Sequence, residues 1–460
     1  MGKGWRRLLA VMVVLVAFAS GCGGDDGGGG GDDADADGCG SDLETINVPE
    51  DCGTIQAAAD SAAEGSLILV APGTYEEEVN VATDDLVIRG LDRDETILEG
   101  NFELENGIRV LEADGVAVEN MTAQNYTGNG FFWTGVDGYR GSYLTAIRNG
   151  DYGIYAFGSV NGTFEHSYGS GSPDAGFYIG QCYPCDALID DVTAEWNGLG
   201  YSGTNSGGNL VIVNSVFTQN RAGIVPNSQT SEGCGPQNET TVVGNLVVDN
   251  NNAGTDAIGA AVQGIYNGIL VTGGNNNIIE RNRVDNHDVT GIAVVPRPED
   301  DPISPLPEEF PTDCVEDAVA APDDVMADVD NPLLWEAVGN RVAGNVVTNS
   351  GEWDIVLLTL DGQGNANCFA DNEVDGITAP PDIDATVPCG GPQQTFQPEL
   401  ARFLELADAS DNPEAVPYAD VDLPDPGEQE EMPDAATAPA EPAGPPRTVD
   451  IAAITVPDLP

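Results

Sequence analysis

Carboxylates and aromatic rings dominate the chemistry on offer in the middle of this 460-residue chain. Glu165, Asp174 and Glu195 are spaced so that different turns of a repeat would carry them. Paired carboxyls about 5–10 Å apart perform acid/base work on glycosidic bonds. His166 adjoins Glu165 and is a candidate general base, with an ordinary surface imidazole as the competing reading. Asp191 follows Asp190, and neighbours on a strand face opposite ways, so the two cannot serve one site directly. Asp33, Asp35 and Asp37, followed by Gly38 and Glu44, satisfy a calcium-loop pattern of alternate acids closed by a bidentate Glu. Helices do not flank that loop, and Gly40 stands where an apolar residue is usual. Calcium is therefore a possible ligand and the sole cofactor candidate.

Aromatic placement says more. Of the 29 Phe, Trp and Tyr residues, 16 fall within residues 126–201. Phe132, Tyr155 and Tyr178 recur every 23 residues, each two places after a glycine. If Phe131, Ile154 and Phe177 point inward, strand alternation puts those three outside as an exposed ladder. Flat rings beside acids and amides suit sugar rings. Stacking that merely stabilises neighbouring turns is the alternative.

The elements that must hold these groups come from a repeat. Gly130, Gly153, Gly176, Gly200 and Gly223, each followed by an apolar residue, lie 23, 23, 24 and 23 apart. Gly268 follows after 45, read as two turns with one shortened, and Gly291 after 23 more; the phase resumes at Asp354-Ile355. Asn214, Asn245, Asn282, Asn345 and Asn372 repeat an Asn-x-Val signature. A period of about 23 with short strands and tight turns predicts an all-β, right-handed, single-stranded parallel β-helix. Asn tolerates left-handed turns and can bond to the Asn of the next rung. A leucine-rich repeat, of similar period, would need a Leu framework that is missing. Thr54 to Asp60 opens a short amphipathic helix suited to capping the first rung, whose edge would otherwise be unpaired.

Composition divides the chain. Residues 1–21 combine Lys3, Arg6 and Arg7 with the apolar run Leu8 to Phe18, too short to span a bilayer comfortably and read as a secretion signal. Residues 22–41 are a Gly/Asp linker, 42–390 the β-helix with a long inserted loop at 296–331, and 391–460 an acidic Pro/Ala-rich tail expected to be largely disordered. Without the leader, 77 acids face 12 Arg and no Lys, a net charge of about −65. That field excludes nucleic acid and anionic membrane surfaces as partners. Beside Cys22, eight cysteines remain, an even number suited to an oxidising compartment. Proximity favours Cys39–Cys52, Cys182–Cys185 and Cys368–Cys389, leaving Cys234 and Cys314, although spacing alone does not decide connectivity. A redox role for Cys182 and Cys185 would need a helix N-terminus, and a structural bridge suits a strand-turn repeat better.

Phe18-Ala19-Ser20-Gly21-Cys22 resembles the lipobox of bacterial lipoproteins, which implies a diacylglycerol on Cys22 and a tether at the outer face of the cell envelope. The helix at Thr54, then Pro72-Gly73-Thr74-Tyr75 and the rungs to about residue 378, resemble pectin-lyase-like β-helix proteins, a carbohydrate-binding and sugar-processing group. The resemblance implies a polysaccharide partner. It does not carry the group's chemistry intact. Lyases use an Arg or Lys base, yet there is no lysine after the leader and no motif marks Arg109, Arg140, Arg148 or Arg221. The Asp-Pro-His-Glu site of alginate epimerases is absent, and of the polygalacturonase set only Asp190-Asp191 is echoed. Two isolated histidines argue against copper delivery. The reading is a surface-tethered β-helix that binds, and in the lyase or glycoside hydrolase class would modify, an extracellular polysaccharide. A non-catalytic structural or adhesive envelope protein is the alternative.

Overall fold

A computed structural model describes residues 39, 44–262, 264, 266–299, 333–399, 401, 402, 405 and 415–459. The leader, Cys22, Asp33, Asp35, Asp37, nearly all of the 296–331 loop and Cys314 lie outside the described residues. Glu44 is described and exposed.

Glycine followed by an apolar residue recurs because each turn presses one side chain into a shared core. Ile108, Phe131, Ile154, Phe177, Tyr201, Ile224, Ile269, Ile292 and Ile355 pair rung to rung in one parallel register. All nine are fully buried. The result is a right-handed parallel β-helix of about 13 turns with about 23 residues per rung. Eleven strands, from Val79–Val81 to Thr378–Ala379, form one sheet. The other two sides of the coil join into a second sheet of 21 strands. A helix, Ile55–Ser61, starts with Thr54 capping Ala57 N–H and buries Ile55, Ala58 and Ala59.

Asparagines close the turns from within. Buried Asn245, Asn282 and Asn345 and half-buried Asn372 form a column in which each amide donates to the next amide oxygen at 3.0–3.1 Å, and Asn372 donates to the Asp384 carboxylate at 2.9 Å. A parallel column runs Asn197, Asn220, Asn250 and then His287. His287 takes an asparagine's place, and burial pulls its imidazole down to about 3, so it stays neutral. Asn214 stands apart from the first column and bonds Asp190 instead, with Ser215 occupying the inward place. Disulfides join Cys39–Cys52, Cys182–Cys185 and Cys368–Cys389, and Cys234 is disulfide-bonded as well.

Two expectations change. The 45-residue interval is one rung, because Ile224 pairs directly with Ile269. Its extra length forms two loops, around residues 228–237 and 249–262, and both pack against the eleven-stranded sheet. The second change concerns the tail. Instead of being disordered, residues 415–459 lie extended along the coil. Ala443 covers Leu67, Val87 and Ala117, while Val449, Ile451 and Ile454 cover Leu188, Val213 and Val243. Those strands are apolar on both faces and need a second cover. Arg89, buried against Glu119 at 2.7 Å, also donates to the carbonyls of Ala435, Ala438 and Pro439.

Candidate functional site

Strand alternation aims Arg109, Phe132, Tyr155 and Tyr178 out of the eleven-stranded sheet in successive rungs. Ring centroids of Phe132 and Tyr155 lie 4.8 Å apart, and those of Tyr155 and Tyr178 4.7 Å apart and stacked. Tyr152 joins at 4.5 Å from Tyr155 and 4.8 Å from Tyr178, and Arg109 sits over Phe132 at 5.7 Å. Further along the face, Ser202, Val225, Leu270 and Ala293 follow in the same column and are buried. Only its aromatic end stays partly open.

The ladder exists, but not fully exposed as expected. Phe132 and Tyr155 are half-buried, whereas Tyr178 is 1% exposed. The first inserted loop explains this: Glu232 reaches over the stack and accepts a 2.5 Å hydrogen bond from the Tyr178 hydroxyl. A short antiparallel strand pair, Arg297–Glu299 with Leu333–Trp335, holds that loop. Glu299 accepts from Thr230 and from the Trp335 indole, and Arg297 donates to Gln229.

Acids gather at the same place. Asp151 and Asp174 occupy equivalent positions in adjacent rungs, tied by the Asp174 N–H donating to the Asp151 carbonyl. Burial lifts the Asp151 carboxyl to about 7. Burial, then the Asp151 charge, holds Asp174 well above the usual carboxylate range, partly opposed by a hydrogen bond from Tyr152. Burial also raises Glu232 to about 8, against hydrogen bonds from Tyr178 and Gln229 and the charge of Arg297. The phenols of Tyr152, Tyr155 and Tyr178 are pushed far up by burial first and by these acids second. Gly259, from the second inserted loop, packs so close to Asp174 that a Cβ there would meet its Oδ2 at 2.4 Å. Carboxyls whose proton affinity burial raises in this way can donate hydrogen bonds or act as acid and base.

The expected carboxyl trio is not one site. Asp174 belongs here, but Glu165 lies in the other sheet, paired with Ser142 and Asp190. Glu195 is on the third side of the coil and accepts a 2.6 Å bond from Tyr168. His166 and Asp191 sit at the turn between those two sides, bonded through Nδ1 at 2.8 Å, away from the sheet that carries the aromatic stack. Asp151, Tyr152 and Glu232 escaped the sequence reading. For Asp151 a signal existed, since it precedes Asp174 by one 23-residue period.

Residues 106–298 match the family described as right handed beta helix region. No curated protein matches the chain in sequence. Among solved structures, the chain is similar to the Azotobacter vinelandii mannuronan C-5 epimerase AlgE4 A-module at 16% identity and a TM-score of 0.48, covering 75% of this chain and 94% of that one. Similarity extends to pectate lyase Pel9A (16%, TM-score 0.40, 74% and 80% covered). It also reaches an alginate lyase from Paenibacillus sp. str. FPU-7 (13%, TM-score 0.35, 72% and 99% covered). At these identities the likeness is confined to the fold.

Proposed function

We propose that the aromatic end of the eleven-stranded sheet binds an extracellular polysaccharide, with Asp151, Asp174 and Glu232 contacting the sugar as proton-bearing carboxyls. The observation that carries this is the Phe132–Tyr155–Tyr178 stack flanked by three acids whose carboxyls burial pushes above the usual carboxylate range. A sugar ring would lie on the half-open faces of Phe132 and Tyr155, while Tyr178 braces the stack through Glu232. In lyase or hydrolase chemistry Asp151 and Asp174 would act on the bound chain as general acid to the leaving glycosidic oxygen and general base to the sugar proton or the attacking water. In this reading Cys22 carries the lipid that tethers the β-helix outside the cell, where its disulfides persist.

The test is a glycan array of neutral and acidic polysaccharides at pH 6, followed by product analysis on the binders. Wild type should bind, and Phe132→Ala, at the open end of the stack, should lose binding at least tenfold with an unchanged circular dichroism spectrum. Binding by wild type with turnover absent would leave a lectin. Equal binding by wild type and Phe132→Ala would refute this site. No binding to any glycan would favour the structural or adhesive role.

A further inference from the structure

A second cluster lies away from the aromatic face. At the turn between the two sides of the large sheet, Tyr143, His166 and Asp191 succeed one another in adjacent rungs, all with left-handed backbone. Asn120 precedes them and Asn214 follows in the same column. Asn is at home in that conformation, and Asp next so. Tyr143 stacks on the His166 ring at 4.6 Å with planes 19° apart, which fixes where the imidazole points. The tail brings Glu430 to the same spot, so that one ligand atom each from His166, Asp191 and Glu430 all lie within 4.8 Å of one another.

The Arg93 guanidinium donates to the carbonyls of Leu144, His166 and Glu430 and to Thr145, and its charge acts on the Glu430 carboxylate from a distance without an ion-pair contact. Among the described residues, the Asp191 carboxylate hydrogen-bonds the His166 ring, and the Glu430 carboxylate makes no hydrogen bond and no ion-pair contact within 4 Å. Two like charges are thus held together at an imidazole by a segment strapped down elsewhere.

We infer that His166, Asp191 and Glu430 form a binding site for a zinc-like divalent transition-metal ion that joins the tail to the β-helix. One imidazole and two carboxylates, with a water in the fourth position, is a ligand set that zinc accepts. Magnesium and calcium, which want all-oxygen shells, fit it less well. Zinc holds N and O ligands at about 2.0–2.2 Å, so ligand atoms must approach to about 3.4 Å of one another. His166 and Asp191, now hydrogen-bonded at 2.8 Å, would open slightly and exchange that bond for the ion, while the exposed Glu430 closes in. His287 cannot substitute, being buried in an asparagine column.

The experiment is zinc titration of the full chain by calorimetry in a large excess of calcium, which occupies weak acidic sites. Wild type should bind one zinc tightly, and amide exchange around residues 428–432 should slow on binding. Asp191→Asn, which places in this rung the residue the next rung already carries as Asn214, should weaken binding at least tenfold without altering the fold. Glu430→Gln should weaken it comparably and abolish the exchange effect. The inference fails if wild type binds no zinc under calcium, or if both variants bind as wild type does.

Discussion

Glu232 should make the native fold lose stability as the pH rises, in a way that Glu232→Gln removes. Burial raises this carboxyl from 4.5 to about 8. At 1.36 kcal/mol per pKa unit, the folded protein favours the neutral acid by roughly 5 kcal/mol. In the unfolded chain the group ionises as the pH passes 4.5; in the folded one it keeps its proton until about 8. Its contribution is therefore fully present below pH 4.5 and drains away as the pH climbs through 8. Gln carries the same shape and the Tyr178 contact without a proton to lose. The assay is urea unfolding of both proteins from pH 4 to 9, taking the difference so that the general effect of about −65 charges cancels. Wild-type stability relative to Glu232→Gln should fall by several kcal/mol across that range. A difference that stays flat to within about 0.5 kcal/mol, the usual size of a neutral surface change, would refute the burial argument for this site.

Asn282→Ala should cost several kcal/mol, since it strands the Asn245 backbone N–H and removes the Asn282 amide from the Val242 carbonyl in the interior, at about 1–3 kcal/mol per group; thermal melting measures it. Arg89→Met should destabilise by about 3–5 kcal/mol by leaving Glu119 buried with only its Arg140 contact. The same variant should speed amide exchange at residues 435–439, whose carbonyls Arg89 holds.

The coil was legible in the sequence because its register is strict. Ile154, Phe177 and Ile224 follow their glycines at a spacing that one inward column imposes, and the asparagine signature marks the turns that the buried amides close. The 45-residue interval misled for a physical reason: loops added to one rung lengthen the chain without adding a strand, and spacing cannot tell the two cases apart. The tail was misjudged because composition reports what a segment cannot bury by itself. The clue lay in the rungs, where Leu188-Ile189 and Val242-Val243 are apolar at consecutive positions and so need cover on both faces. For the site, the aromatic column was readable from period alone. Its partial covering was not, since Glu232 arrives from 54 residues beyond Tyr178 through an inserted loop.

The most direct test of the central claim is the position of an oligosaccharide in a crystal of the complex, prepared with the best glycan from the array. The account predicts a sugar ring stacked on Phe132 and Tyr155 with a hydroxyl within hydrogen-bond reach of Asp151 or Asp174. A saccharide bound elsewhere on the coil, with the aromatic face unchanged, would contradict it.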